Sequence, residues 1–595
     1  MKKRFPYDTL DLKPSRRDFM RLGGTSLAAA MMMRHGPFPV LAQGMGVIPA
    51  ELRPGSPNNP RGWTTTLPPI PDGMPVDPPV TITGSRRGPW EFADGDDIEN
   101  SNFTRLNAAV TGIIWKLAFS WTDNEEEVLQ KYNLAIASDD LPDFMETVPL
   151  QIYAELLESD LIEDITDVWD AVAHPVWLKE AWSFGGGAAW QHAEVNGRKM
   201  GLPHTEQAAQ NDKLLWIRQD WLDAVGMSIP TSVDELYAVA KAFVEADLGH
   251  GPEGSTIGIA AANNFVTWYS SLDPIFGAWG VMPGFWTPDE SGDLQYNSVL
   301  PQIKEVLGLL RQWYAEGIFA QDFFTLRPPQ TAFGQIGANT CGITMSPAFA
   351  ALFGLPDSVT NDPSARWTWG DIPAGPTGIK KKAWSNPVVD SVFCFRKGFE
   401  HVDLVLKQIG WWAELLQNPE NRYHGFEGTD YYWRNADGEV DSMGATLDLA
   451  SGYDGNKHIW GPPGTNGSAL TEPRFETNWI KHRREVWANI PEDERDAYMD
   501  AFLGSDELSV MWDDANVFAV DRWELDGIRN HFTTFPTRTM ELALASLNTL
   551  EAETFVNIIT GQASLDDFDS FVADWKSGGG DAITGEVNEW WHGQM

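Results

Sequence analysis

The stretch Gly112-Ile113-Ile114-Trp115-Lys116-Leu117-Ala118-Phe119, followed by Glu125 to Ala137, the turn Ser138-Asp139-Asp140-Leu141-Pro142-Asp143 and then Phe144-Met145, decides the fold. The first segment reads as a buried strand. The second places Val128, Leu129, Tyr132 and Ile136 on one side of a helix. Strand, helix, Asp-rich turn and strand of these lengths make a βαβ unit.

The same alternation continues outward. Asn100 to Val110 reads as a helix before the first strand. Lys213 to Arg218 is strand-like, and Gln219 to Gly226 is a short helix closed by its glycine. Thr231 is read as the N-cap of a helix running to Ala246, with Asp234 at its third position. Thr256 to Ala260, Cys341 to Met345 and Val388 to Arg396 are further strands, and Val299 to Gly317 is a long helix. Three helices close the chain, at Thr539–Leu550, Glu551–Gly561 and Ser564–Ser577. Short strands alternating with longer helices predict an α/β protein with mainly parallel sheets.

Residues 43–95 carry eleven prolines, from Pro49 to Pro89, and are expected to form a linker or surface segment because proline removes a backbone donor and fixes φ. Residues 1–42 have the order of an export signal. A basic segment contains Ser15-Arg16-Arg17-Asp18-Phe19-Met20, a weakly apolar run spans Gly23 to Met33, and Val40-Leu41-Ala42 suits cleavage after Ala42. The paired arginines point to the twin-arginine route. The apolar run is far shorter than the roughly 20 residues that span a bilayer, so the mature protein is expected not to span the membrane.

The chain has a formal net charge of −41. Removing residues 1–42 takes away eight Lys/Arg and three Asp/Glu, which leaves 35 basic against 81 acidic residues and a charge of −46. Such a chain repels nucleic acid, which needs a basic face. Its two cysteines, Cys341 and Cys394, sit in apolar strands and are read as buried thiols, with a disulfide left open. Gly249 to Gly254 matches GxGxxG, but a helix precedes it and a strand follows, the reverse of a dinucleotide site. No catalytic, zinc or EF-hand motif is present, so no catalytic residue, metal ligand or cofactor is assigned. The 28 tryptophans against 12 tyrosines are unusual, and many lie beside Gly, Pro, Asn or Asp. Trp suits stacking on the apolar faces of sugar rings.

Tyr132 to Asp143, with its small-residue "SDDLPD" turn, resembles the type 1 extracellular solute-binding proteins of ABC importers, whose turn has Gly where Asp139 stands here. Leu161 to Asp167, Leu215 to Leu222 with Ile229 to Leu236, Gly342 to Pro347, Gly425 to Tyr432, and the tail from Pro536 to Trp590 are similar to further blocks of that family. The large oligosaccharide-binding branch, with its alginate-binding and LipO-like members, is the nearest. The resemblance implies a two-lobed, type II-like periplasmic binding protein fold with crossing strands and an interlobe ligand cleft. One lobe is expected from 96–215 and 371–430, the other from 216–370 and 431–595. It further implies a monomeric periplasmic carrier that captures a carbohydrate and passes it to ABC permease subunits. The family's calcium loop falls on Asp247 to Ser255, where Asp247 alone keeps a ligand oxygen, so no calcium is expected there.

Ligand contacts are expected from loops after strands or near the crossings: Ser138, Asp140, Glu206, Gln207, Trp268, Trp279, Trp384, Asn386 and Trp433. Arg218, Arg327 or Arg434 could supply positive charge for a uronic acid. An exported glycosidase or lyase is the alternative, since Trp and carboxylates serve it equally, and a surface adhesion protein is a third reading.

Overall fold

The computed structural model describes residues 69–88, 97, 99, 102–121, 125–183, 188–205, 211–326, 329–386, 388–417, 432–434, 440–442, 480–481, 507–534 and 536–594. The export segment, residues 43–68, the loop with Glu206 and Gln207, Arg327, and residues 425–431 lie outside them. In chain order, the strands that build two sheets and their joint are β1 (Val80–Arg87), β2 (Ile113–Trp121), β3 (Phe144–Pro149), β4 (Leu202–Thr205), β5 (Lys213–Arg218), β6 (Ile257–Ala260), β7 (Cys341–Pro347), β8 (Trp367–Gly370), β9 (Lys382–Ala383), β10 (Val388–Phe395) and β11 (Gly527–Ile528).

The first sheet has the order β2-β1-β3-β10-β4 and the second β8-β5-β7-β6. Both are mixed rather than mainly parallel, and one strand in each accounts for this. Strand β10 runs against β3 and β4, while β5 runs against β7 and β8. These are the strands that arrive from the other sheet. The chain leaves the first sheet at Thr205, enters the second at Lys213, leaves that at Gly370 and returns at Val388. Val388 lies opposite Thr205, and Pro347 opposite Lys213. Both of these transits happen at one end of each sheet, and an arriving strand must point away from that end. The short parallel pair β9–β11 ties the second crossing to a third segment of chain.

Strand β1 corrects the expectation for residues 43–95. Four β-branched residues or their equivalents (Val80, Thr81, Ile82, Thr83) follow the last of a proline series and form a central strand with Ile82, Ser85 and Arg86 buried. It lies between β2 and β3, so the strand–helix–strand unit straddles it. The expected lobe boundary at 215/216 falls inside β5.

Alternation along the strands of the first sheet sorts side chains to two cores. Phe144, Phe393 and Phe395 join Ile82 and Trp115 on one face; Met145, Val392 and Cys394 join Tyr132 and Ile152 on the other. In the second lobe, the helix Val233–Glu245 buries Val233, Leu236, Val239, Ala240 and Phe243 in a core with Ile217, Ile259 and Ile343. Its N-cap is Ser232, one residue later than read from the sequence. The Ser232 hydroxyl accepts the Glu235 N–H, and Glu235 reaches back to the Thr231 N–H at 2.8 Å. The C-terminal helices Arg538–Ile559, Asp567–Trp575 and Asp581–Gln594 seal the same core with Leu547, Phe555, Phe568, Trp575 and Val587. The first of these is continuous where two helices were expected. Cys341 and Cys394 are buried, free and in different sheets. Among the described residues no helix is long and apolar enough to cross a membrane.

Candidate functional site

The end of each sheet where the chain crosses carries the candidate site. Residues 211–213, 271–273 and 382–385 meet there. The Lys382 ammonium lies 3.0 Å from Asp212 Oδ2, both fully buried, and it also donates to the Lys213 carbonyl. Ser385 Oγ donates to Asp212 Oδ1 at 3.3 Å, and Lys213 Nζ to the Asn211 carbonyl at 3.1 Å. Asp273 accepts the Ala383 N–H at 2.8 Å and the Ser271 hydroxyl. Burial pushes the Asp212 carboxyl up to about 6 against the pull of Lys382, and raises Asp273 as well. A buried charge is tolerable only when paired, so this cluster fixes both crossings to the second lobe. The backbones meet closely here: a Cβ on Gly277 would lie 2.0 Å from the Lys381 carbonyl oxygen.

Aromatic side chains line the second lobe beside this cluster. Trp268, in the loop after β6, donates its indole N–H to Asn211 Oδ1 at 3.0 Å. Its ring neighbours Tyr269 (centroids 4.6 Å apart) and Phe349 (6.3 Å). Trp384 stacks on Trp523 at 5.1 Å, with the Arg529 guanidinium over its ring at 4.2 Å. On the first lobe, the crossing end holds the buried pair Arg86–Glu146 at 3.5 Å. His204 there meets Ser391, 2.5 Å from Nδ1 to Oγ.

Of the residues expected at the site, Trp268, Trp384 and Asn386 come together at the crossing end. Trp384 is 8 % exposed and occupied by its own neighbours, so it braces the joint. Asn386 is exposed, its Oδ1 accepting the Val388 N–H. Ser138 and Asp140 sit elsewhere. Their turn follows a helix and precedes β3, which puts it at the opposite end of the sheet, beside the end of β10, where Asp143 binds Arg396 at 2.6 Å. Ser138 Oγ caps its helix by donating to the Leu134 carbonyl, and Asp139 takes φ +55°, the left-handed conformation that explains a glycine there in the family. Trp279 donates to Glu305 and packs on the second core. The side chain of Trp433, like Glu206 and Gln207, lies outside the described residues. Arg218 is also at the far end, buried against Asp220, Asp362 and Asn339. Sequence reasoning missed Asp212, Lys213, Asp273 and Lys382, whose partners are far apart in the chain. The only signal was a charged pair inside otherwise apolar strand sequence.

At the far end of the second sheet, Asp247 spends both carboxylate oxygens on its own turn, accepting the Gly254 N–H at 2.7 Å and the Thr256 hydroxyl at 2.6 Å. Among the described residues no group of three His, Cys, Asp or Glu is gathered as a metal site requires.

Two sheets exchanging strands at one shared end, each backed by helices, define the two-lobed fold of the extracellular solute-binding proteins. The solved structure of an HMO-binding, ABC-transporter-associated solute-binding protein from Bifidobacterium longum infantis shares this fold, with a TM-score of 0.55 at 15% identity over 87% of this chain and 99% of that one. In sequence, the chain is similar to the polygalacturonan/rhamnogalacturonan-binding protein YtcQ of Bacillus subtilis, 28% identical over 221 residues, which are 37% of this chain and 42% of YtcQ. It is also similar to the lipoprotein LipO of the same organism, 26% identical over 133 residues, 22% of this chain and 26% of LipO. The match thus spans less than half the length of either curated relative. No family model matches the chain.

Proposed function

We propose that the protein is an extracytoplasmic carrier that binds an oligosaccharide between its lobes and hands it to the permease of an ABC importer, without chemistry of its own. The observation that carries this reading is the joint: among the described residues both transits between the sheets lie at one end, where a buried ionic cluster anchors the crossings and the Trp268–Tyr269 pair stands beside it. A ligand touching both lobes then favours the closed state by its differential affinity. The chain's likeness to YtcQ, which binds polygalacturonan and rhamnogalacturonan, supports a saccharide. On this reading the precursor is exported by the twin-arginine route and cleaved near Ala42, and the mature chain acts in the periplasm as a monomer.

Incubating the purified mature chain with defined oligosaccharides, while following heat and product together, tests the proposal. Binding heat with chromatographically unchanged sugar is expected; cleavage products lost on replacing one carboxylate would make it an enzyme. Replacing Arg16 and Arg17 by Lys is expected to strand the precursor in the cytoplasm, and unchanged export would refute the route.

A further inference from the structure

We propose that residues 523–529 form a clasp that makes the second crossing, as far as Ser385, a rigid part of the second lobe, so that bending of that crossing begins only after Ser385. The clasp goes beyond the carrier reading above and holds whichever ligand the cleft takes.

Each residue from Lys381 to Ser385 is fastened to the clasp or to the ionic cluster. Strand β9 pairs in parallel with β11, Lys382 opposite Gly527 and Ala383 opposite Ile528. The Trp384 N–H continues that ladder by donating to the Ile528 carbonyl at 2.9 Å. The Lys381 ammonium donates to the Leu525 carbonyl at 2.6 Å, and the Trp523 indole N–H to the Ser385 carbonyl at 2.9 Å. The Trp384 and Trp523 rings stack with 17° between their planes, and the Arg529 guanidinium covers Trp384. From the other side Asp273 accepts the Ala383 N–H, while Asp212 holds Lys382 and Ser385.

The clasp is itself anchored. It begins in the last turn of the helix Glu507–Asp526, which sets Phe518 against Trp369 (centroids 5.2 Å apart) and Trp512 against Phe349 (6.4 Å). Trp369 lies in β8 and Phe349 follows β7, so this helix belongs to the second lobe. Arg522 adds a bridge to Asp526 at 2.7 Å and to Asp371 at 3.5 Å. The fit is close on both sides of the crossing. A Cβ on Gly527 would lie 2.7 Å from Trp384 Cβ, and one on Gly277 2.0 Å from the Lys381 carbonyl oxygen. Bending the segment would undo the β9–β11 pairs, unstack two buried indoles and part the buried Asp212–Lys382 ions, which leaves a charge uncompensated. Asn386 turns instead to the other lobe: its Oδ1 accepts the N–H of Val388, which pairs with Thr205 in the first sheet. The change of lobe therefore falls between Ser385 and Val388, at the ends of elements, where hinges absorb their rotation.

Hydrogen–deuterium exchange mass spectrometry on the intact mature protein tests the clasp before any ligand is added. Residues 382–385 are expected to exchange within about tenfold of the central strand β5, because both open only with the whole lobe. W523F keeps a ring and removes the indole donor; G527A forces a methyl group against Trp384. Each should speed exchange of 382–385 by about tenfold or more and leave β5 unchanged. The comparison is then repeated with malto-, xylo- and galactotetraose and tetragalacturonate. With any sugar that binds, protection of 382–385 should keep pace with that of β5. Exchange of wild-type 382–385 more than about tenfold faster than β5, variants that leave it unchanged, or a gain in its protection beyond that of β5 on sugar binding would each overturn the clasp. If no sugar binds, the carrier reading fails, while the free-protein comparison still decides the clasp.

Discussion

The two ends of strand β5 each carry a buried cation, and the two are held in different ways. At the far end, Arg218 finds Asp220 two residues on, at 2.7–2.8 Å through two nitrogens, and adds Asn339 and Asp362 from the same lobe. Its guanidinium lies 5.0 Å from the Trp221 ring centroid and 5.8 Å from that of Trp367. At the crossing end, Lys213 and Asp212 find partners more than fifty residues away, in Asp273, Lys382 and Ser385. The first cluster locks one lobe internally. The second fastens two separate passages of chain to that lobe.

This contrast can be broken experimentally. The largest effect is expected from R218A, which strands two carboxylates and an amide in one rigid lobe. It should lose about 3 kcal/mol or more of stability in urea unfolding, with ligand affinity of the folded protein unchanged. At the other end, D212N leaves the Lys382 ammonium buried without its counter-charge and should cost about 3 kcal/mol at neutral pH. It should also alter the pH profile. The unfolded carboxyl titrates near its ordinary 3.8 and the folded one near 6, so the folded state holds the proton more tightly. Stability contributed by this group is therefore full at low pH and declines as pH rises from about 4 to about 6. Melting temperatures across that window should show the decline flattened in D212N.

Smaller effects sharpen the same comparison. G277A forces a methyl group against the Lys381 carbonyl and should cost about 2 kcal/mol, together with altered ligand affinity, because the contact lies at the joint. D247A removes two hydrogen bonds from a far-end turn and should cost about 1 kcal/mol, while added calcium leaves the wild-type melting temperature unmoved. S138A and D140A should change neither stability by more than about 0.5 kcal/mol nor sugar affinity, since both sit on the surface away from the crossings. Loss of binding in S138A or D140A would relocate the site.

Local chemistry explains which of these features the sequence revealed. The Glu125–Ala137 helix and the Lys213–Arg218 strand were legible to the residue, because periodicity and a run of apolar side chains are local properties. The Gly226 cap was legible for the same reason, its φ of +69° being what a glycine there supplies. Strand β1 was hidden because the prolines before it dominate the composition of that segment. The reversed direction of β5 and β10 was hidden because strand polarity depends on where the chain enters a sheet. The site was the least legible part. Trp268 and Asn386, expected on loops after strands or near the crossings, lie at the crossing end, whereas Ser138 and Asp140 do not: the sequence already placed a helix before their turn and a strand after it, and a turn leading into a strand sits at the opposite end of the sheet. The Asp212–Lys382 pair joins residues 170 positions apart, which no single-sequence pattern encodes.

The central claim is that two lobes close on a saccharide and leave it intact. Small-angle X-ray scattering of the mature protein, recorded before and after saturation with a bound oligosaccharide and followed by chromatography of that sugar, addresses it directly. A smaller radius of gyration in the complex, with the sugar recovered unchanged, is the predicted result; an unchanged radius of gyration with a shortened sugar would contradict it.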